Sequence, residues 1–154
     1  MIISAHMIAG GVLGEAVQNP FVAFFLGIVL HFVLDAIPHF DNLLDDDEKW
    51  NYKQVIFLIL DFILLFVLYF YVLKLPLVSR ILNTSFFFGA FGGIFPDILD
   101  NVPFWSDKFR NSAIGSRVHL FHDKIQLKKV NPVLGLLTQA IVIYLSIAAY
   151  FLIK

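Results

Sequence analysis

The chain has 154 residues, of which 59% are hydrophobic and only 15% are charged. A soluble domain usually has about 45–50% apolar and about 25% charged residues, so this composition favours a protein embedded in lipid. The net charge of −1 gives no sign of a nucleic-acid partner, and the absence of cysteine excludes disulfides and thiolate metal ligands. The length fits a single domain, 1–154.

Five apolar segments could lie in a membrane, where a full span needs about 20 residues. In chain order they are 3–17, 21–37, 55–73, 81–99 and 133–153. The first is short, carries Glu15 and is expected to be a partial span, packed closely through Gly10 and Gly14. No basic stretch precedes it, so a cleaved signal peptide is not expected. The sequence therefore predicts an all-α, helical integral membrane protein, one domain with four to five membrane-embedded helices.

Two stretches of the chain resemble each other at an offset of 65 residues. GIVLHFVLDAIPHF (27–40) aligns with GGIFPDILDNVPFW (92–105), which pairs Gly27 with Gly92 and Asp35 with Asp100. Each stretch is followed by a polar loop and then by an apolar segment. An internal duplication would explain the pattern, and such repeats are common in membrane folds.

Alternating spans would place the loops 39–54 and 101–131 on one face of the membrane, here called face A. Eight of the 11 basic residues fall on face A and three on the opposite face. The eight are Lys49, Lys53, Lys108, Arg110, Arg117, Lys124, Lys128 and Lys129; the three are Lys74, Arg80 and Lys154. Because basic loops are retained in the cytoplasm, we expect an inner cell membrane protein with face A in the cytoplasm.

The same threading brings all five histidines to face A, together with several carboxylates. His31 and Asp35 are spaced i, i+4, and the HxxxD spacing recurs at His119 and Asp123, so each pair shares one helix face. Imidazole and carboxylate are ligands of zinc, manganese and iron. The candidate ligands are His6, His31, Asp35, Asp97, Asp100, His119, His122 and Asp123. Eight ligands exceed the needs of one tetrahedral ion, so two or more divalent ions are expected, with zinc as the first candidate.

Other polar residues are assigned supporting roles. His39, Asp41 and Asp61 are candidates to hold ligands in place, although Asp61 could instead be a neutral, hydrogen-bonded packing residue. Arg117 and Lys124 flank the second HxxxD pair and could bind an anionic lipid headgroup, although a basic stretch beside a membrane more often only faces the cytoplasm. A single membrane histidine is more often a helix–helix hydrogen-bond partner than a ligand.

Three segments resemble motifs of a known family. SAHMIAGGVLG, GGIFPDILD and HLFHD resemble the N-terminal His–Gly segment, the G-x-x-P-D-x-x-D segment and the His pair of the membrane-bound metal-dependent hydrolases, which are associated with the inner membrane. The HxxxD pairs are also similar to those of the zinc-dependent phospholipase C group, an all-helical fold with a multi-metal site. The resemblance implies metal ligation by His6, His31, Asp35, Asp97, His119 and Asp123.

The expected function is a membrane-embedded, metal-dependent hydrolase acting on a phosphoester such as a lipid headgroup. Asp100 or Asp123 would be the catalytic base where it is not a ligand. A divalent-metal carrier or sensor is the alternative, as is a membrane scaffold with a structural metal site. The expected partner is membrane lipid, including a phospholipid substrate; the sequence does not indicate an oligomeric state.

Overall fold

The structure, a computed structural model, describes residues 1–40, 52–72, 84–126 and 130–153. Within these ranges all regular secondary structure is helical, which confirms the predicted all-α class. The helices are α1 (Ile3–Val17), α2 (Pro20–Asp35), α3 (Tyr52–Val67, continued by a π-helical turn, Leu68–Val72), α4 (Thr84–Asn101), α5 (Ser106–Arg110), α6 (Gly115–Ile125) and α7 (Pro132–Leu152).

A tight turn makes α1 and α2 antiparallel. Gln18 adopts the left-handed conformation (φ 57°), and its N–H donates to the carbonyl of Gly14 at 3.0 Å. Asn19 then caps α2, because its side-chain oxygen accepts the N–H groups of residues 21 and 22, and Pro20 takes the first helical position. The start of α1 therefore lies at the same end of the bundle as the end of α2.

Helix α1 is central and packs against α2, α3, α4 and α7. It meets α4 backbone to backbone: a Cβ atom on Gly10 would collide with the carbonyl of Gly89, and one on Gly89 would collide with the carbonyl of Gly10. Helices α2 and α4 approach as closely at Gly92, where a Cβ would collide with the carbonyl of Phe24. These contacts confirm the predicted close packing of α1 and bring the polar ends of α1, α2 and α4 together.

One helix in the described part of the chain, α7, is long and apolar enough to cross a membrane. Of its most apolar 18-residue stretch, 22% is buried in the bundle. Helices α1, α2 and α3 are 15, 16 and 16 residues long. At 1.5 Å per residue such helices rise about 22–24 Å, against a hydrocarbon thickness of about 30 Å. Among the described residues, the predicted four to five embedded helices therefore reduce to one that is long and apolar enough for a span. The turn at Gln18 and the polar end at Asp35 shorten α1 and α2.

Candidate metal centre

The five histidines of the chain lie at the end of the bundle where α1 begins and α2 and α4 end, as predicted. Two buried carboxylates, Asp35 at the end of α2 and Asp100 near the end of α4, organise them. Around Asp35 lie His6, His31, His39 and His122, and around Asp100 lie His119 and His122. His122 thus lies between the two aspartates that the 65-residue offset pairs with each other.

Four side chains at this end point one donor atom each towards a common space: His31, Asp35, Asp97 and His122. Their ligand atoms all lie within 4.8 Å of one another. The Nε2 atoms of His31 and His122 are 3.4 Å apart, and Oδ2 of Asp35 lies 3.2 Å and 2.9 Å from them. Oδ1 of Asp97 is more distant, at 3.8 Å and 3.9 Å from the same two nitrogens.

Three of the four ligand atoms have spacings close to those around a single divalent ion, whereas Oδ1 of Asp97 lies farther out. Two ligand atoms that bind a tetrahedral zinc ion at about 2.0–2.1 Å lie roughly 3.3–3.4 Å from each other. The two imidazole nitrogens and Oδ2 of Asp35 are close to that spacing. Asp97, whose side chain is 20% exposed, is the most accessible of the four. The cluster could therefore hold a metal ion, with Asp97 on its open side.

Hydrogen bonds fix which nitrogen of each histidine faces the cluster. Nδ1 of His31 donates to the carbonyl of Gly93 at 2.8 Å, and Nδ1 of His122 donates to Oδ2 of Asp100 at 3.3 Å. Because both acceptors are oxygens that cannot donate, a neutral ring keeps its proton on Nδ1 and its lone pair on Nε2. Metal-binding histidines are held in this way, with the second nitrogen bound to a carbonyl or carboxylate.

The surrounding carboxylates stabilise the protonated form of His122. Burial alone would lower the pKa of His122, but hydrogen bonds to Asp100 and Asp35 and the charge of Asp97 outweigh burial and raise its pKa from 6.5 to about 10. The protonated ring donates to Asp35 from Nε2 and to Asp100 from Nδ1. A proton and a metal ion therefore compete for Nε2 of His122.

The second oxygen of Asp35 faces a different set of nitrogens. Oδ1 lies 2.9 Å from the amino group of Met1, 3.1 Å from Nε2 of His6 and 3.7 Å from Nε2 of His39. His6 is fully buried and stacks on His31 with 4.3 Å between ring centroids, and its Nδ1 has no hydrogen-bond partner among the described residues. His6 and His39 thus lie beside the four-residue cluster and share Asp35 with it.

Asp100 contacts histidines and an arginine rather than the common space. Its Oδ2 accepts hydrogen bonds from Nδ1 of His119 at 3.0 Å and from Nδ1 of His122. Its Oδ1 accepts the Nε–H of Arg110 at 2.9 Å. The structure therefore places Asp100 behind a candidate ligand, where it orients the ring of His122.

Arg110 on α5 connects two carboxylates of the site. Besides Asp100, it contacts Asn101 at 3.2 Å, and the amide of Asn101 donates to Oδ1 of Asp97 at 3.0 Å. No motif in the sequence singles out Arg110, because it lies ten residues after Asp100 and outside the apolar segments. Its only signal is a basic residue in the last turn of a short helix.

The remaining candidates lie outside the four-residue cluster. His119 is half-buried, and its Nε2 lies 3.5 Å from Oδ2 of Asp123, which is 56% exposed. Arg117 and Lys124 are exposed on α6. Asp61 on α3 is buried and accepts the backbone N–H of Ser4, at 3.1 Å and 3.3 Å, so it caps the start of α1. Asp41 lies outside the described residues.

Comparison of this chain with protein families, with curated proteins and with solved structures gives no match.

Proposed function

We propose that the protein is a membrane-embedded, metal-dependent hydrolase that cleaves a phosphoester of a membrane lipid. The observation that carries the proposal is the cluster of His31, Asp35, Asp97 and His122, whose four ligand atoms lie within 4.8 Å. When bound, a divalent ion supplies a Lewis acid and lowers the pKa of a coordinated water to about 7. The donor set of imidazole and carboxylate suits zinc first, with manganese or iron as alternatives.

Other residues of the site would orient the ligands and accept a proton. Asp100 orients His122 through Nδ1 and is itself held by Arg110. His119 and Asp123 lie at the exposed rim, where a carboxylate can accept a proton and pass it to solvent, so Asp123 is the proposed base. His6 and Oδ1 of Asp35 are the proposed donors for a second ion.

Membrane association is supported by apolar side chains that face outwards. Helix α7 has the length of a span, and α3 exposes apolar residues on several sides, including Phe57, Leu60 and Phe62 at 48%, 55% and 50%. Such surfaces are unusual for a soluble monomer. We propose that α7 crosses the inner cell membrane, that the shorter apolar helices lie in the same layer, and that the histidine end faces the cytoplasm. Arg117 and Lys124 would then meet anionic headgroups.

A scaffold with a structural metal is the second candidate, because four protein ligands can close a tetrahedral shell. The 20% exposure of Asp97 favours a reachable site over a closed one. The carrier alternative needs polar residues that continue away from the site, and the two candidates are Asp61 and Glu15. Asp61 is engaged at the start of α1 beside the site, whereas Glu15 is buried near the far end of α1, separated from the site by most of that helix.

Metal analysis of the purified protein, followed by a screen of lipid and soluble phosphoesters, tests the proposal. We expect bound divalent metal and hydrolysis that is lost in His31→Ala but kept in Asp107→Ala, which changes an exposed carboxylate on α5. Bound metal without hydrolysis of any phosphoester would favour the scaffold. Hydrolysis that His31→Ala leaves intact would contradict a role for the cluster.

A further inference from the structure

A groove runs between α1, α2 and α7 on the side of the bundle away from α4. Its volume is about 410 Å³, within the range of about 300–1,000 Å³ that small-molecule sites occupy. Eleven of its 12 lining residues are apolar. The exception, Ser146, donates its hydroxyl to the carbonyl of Val142 at 2.8 Å, within its own helix. The groove therefore suits a hydrocarbon chain rather than a polar ligand.

The two ends of the groove differ in their surroundings. At one end lie Leu34, which directly precedes Asp35, and Ile37, whose carbonyl accepts the Nδ1–H of His39 at 2.8 Å. At the other end lie Ala16 and Ile153, near the end of α1 and just after α7. The groove thus starts within one helical turn of Asp35 and runs along the bundle away from the histidines.

We propose that this groove holds an acyl chain of the lipid whose phosphoester reaches the metal centre. One wall is α7, the helix with the length and composition of a membrane span, so the groove opens towards hydrocarbon. A second wall, α2, carries Leu34 on the groove side and Asp35 at the cluster, so one helix aligns the chain with the site. The identity of the headgroup rests on the proposed function; occupancy of the groove by an acyl chain is tested separately.

Photolabelling tests the occupancy directly. The full-length protein is placed in vesicles of phosphatidylethanolamine and phosphatidylglycerol, with a fraction of the phosphatidylglycerol carrying a diazirine at the end of one acyl chain. We expect labelled peptides at the far end of the groove, around Ala16 and Ala149. Labelling of the exposed face of α3, at Phe62, serves as the reference for ordinary lipid contact.

Two tryptophan variants on α7 form a matched pair. Ala149 lines the groove, whereas Ala140 is exposed on the same helix outside it. Ala149→Trp should lower labelling of Ala16 about tenfold relative to Phe62, which corresponds to about 1.4 kcal/mol, and Ala140→Trp should leave it unchanged. Equal labelling of Ala16 in both variants, or no groove label in the wild type, would overturn the proposal. If a second copy of the chain occupied the groove, the wild type would show no groove label and would form an oligomer that Ala149→Trp dissociates.

Hydrolysis assays distinguish failure of the groove proposal from failure of the proposed function. Ala149→Trp should lower kcat/KM for a long-chain phospholipid while leaving hydrolysis of soluble bis(p-nitrophenyl) phosphate unchanged. If no phosphoester is hydrolysed by the wild type, the proposed function fails and the photolabelling result still decides the groove. If lipid and soluble substrates are affected alike, the groove has no role in binding substrate.

Discussion

Asp35 is the residue on which the site depends most. Both of its oxygens are engaged, and its side chain is fully buried among histidines and an amino group. An unpaired carboxylate in this place would be costly, since burial of a charge needs a compensating partner. The protonated ring of His122 and the amino group of Met1 supply part of that compensation, and a shared cation would supply it more completely.

Chelation should therefore lower the melting temperature of the wild-type protein. An ion present at a hundredfold excess over its Kd stabilises the folded state by about 2.7 kcal/mol, and for a chain of this size each kcal/mol is worth roughly 2–4 °C. His31→Ala and Asp35→Ala should both reduce bound metal and abolish the chelator response. The measurements are thermal unfolding with and without chelator and elemental analysis.

Asp107→Ala, on the exposed side of α5, should change neither quantity. A His31→Ala protein that keeps full metal occupancy and the wild-type chelator response would mean that the cluster is a hydrogen-bonded helix end and not a metal site.

The same substitution, Asp to Asn, should change metal affinity differently at Asp100 and at Asp123. Asp100→Asn weakens the acceptor that orients His122, and loss of such a partner typically lowers metal affinity about 10–100-fold. Asp123→Asn, at a residue that is 56% exposed, should lower metal affinity little. Competition with a metal-binding dye measures both affinities. An equal loss in Asp123→Asn would show that Asp123 also contributes to metal binding.

The sequence predicted that the histidines lie together, but not which carboxylate faces the cluster and which orients a histidine. The HxxxD spacing of His31 and Asp35 fixes their relation within one helix, and alternating segments fix the end to which each helix brings its polar residues. Asp97 and Asp100 lie on consecutive turns of α4, and spacing alone cannot decide which faces the cluster. The packing of α4 against α1 and α2 decides it, and that packing depends on long-range glycine contacts. Arg110 reaches Asp100 across the turn between α4 and α5, and no spacing rule predicts that contact.

At the scale of elements, the site is assembled from helix ends that other elements hold in place. Helix α1 carries His6 in its first turn, and Asp61 on α3 fixes that turn by accepting the N–H of Ser4. A carboxylate at a helix N-terminus also interacts favourably with the helix dipole. Asp61 thus stabilises α1 as a helix and not only its first turn.

Asp61→Ala should lower the stability of the fold by about 1–3 kcal/mol, because it leaves the buried N–H of Ser4 without an acceptor. Metal content should stay the same at saturating metal. Asp61→Asn, which keeps an acceptor oxygen, should have a smaller effect. Chemical or thermal unfolding measures the stability, and loss of metal in Asp61→Asn would show instead that Asp61 is a ligand.

Gly89→Ala should separate α1 from α4. The new Cβ would collide with the carbonyl of Gly10, and overpacking of this kind typically costs about 1–3 kcal/mol. Because α4 carries Asp97, metal affinity should fall together with stability. Phe87→Ala, which removes a side chain that is 60% exposed on the same helix, should leave metal affinity unchanged. Unchanged affinity in Gly89→Ala would show that the site tolerates a shift of α4.

At the scale of the molecule, the antiparallel helices give the bundle two unlike ends. The histidines, α5 and α6 lie at one end, and the turn at Asn19 lies at the other. The end with α5 and α6 carries most of the basic residues of the described chain, including Lys108 and Arg117. Retention of basic segments in the cytoplasm then sets the expected orientation.

A cysteine at Lys108 should resist an impermeant thiol reagent in intact cells and react after permeabilisation. A cysteine at Asn19, at the opposite end, should react in intact cells. The chain has no other cysteine, so the background is low. Labelling of the Lys108→Cys protein in intact cells, with Asn19→Cys protected, would reverse the orientation.

The central position of α1 has a consequence for the order in which the fold is completed. The backbone N–H of Ile2 donates to the side chain of Gln139 on α7, 137 residues later, and the amide of Gln139 donates in turn to the carbonyl of Phe40. Contacts at such sequence separation form slowly, because the chain between them must first be ordered. Helix α1 is synthesised before α7 and therefore waits for it before its surface is fully covered. Until α7 is made, we expect the uncovered face of α1 to be exposed, as unpaired apolar surface is during the folding of larger chains.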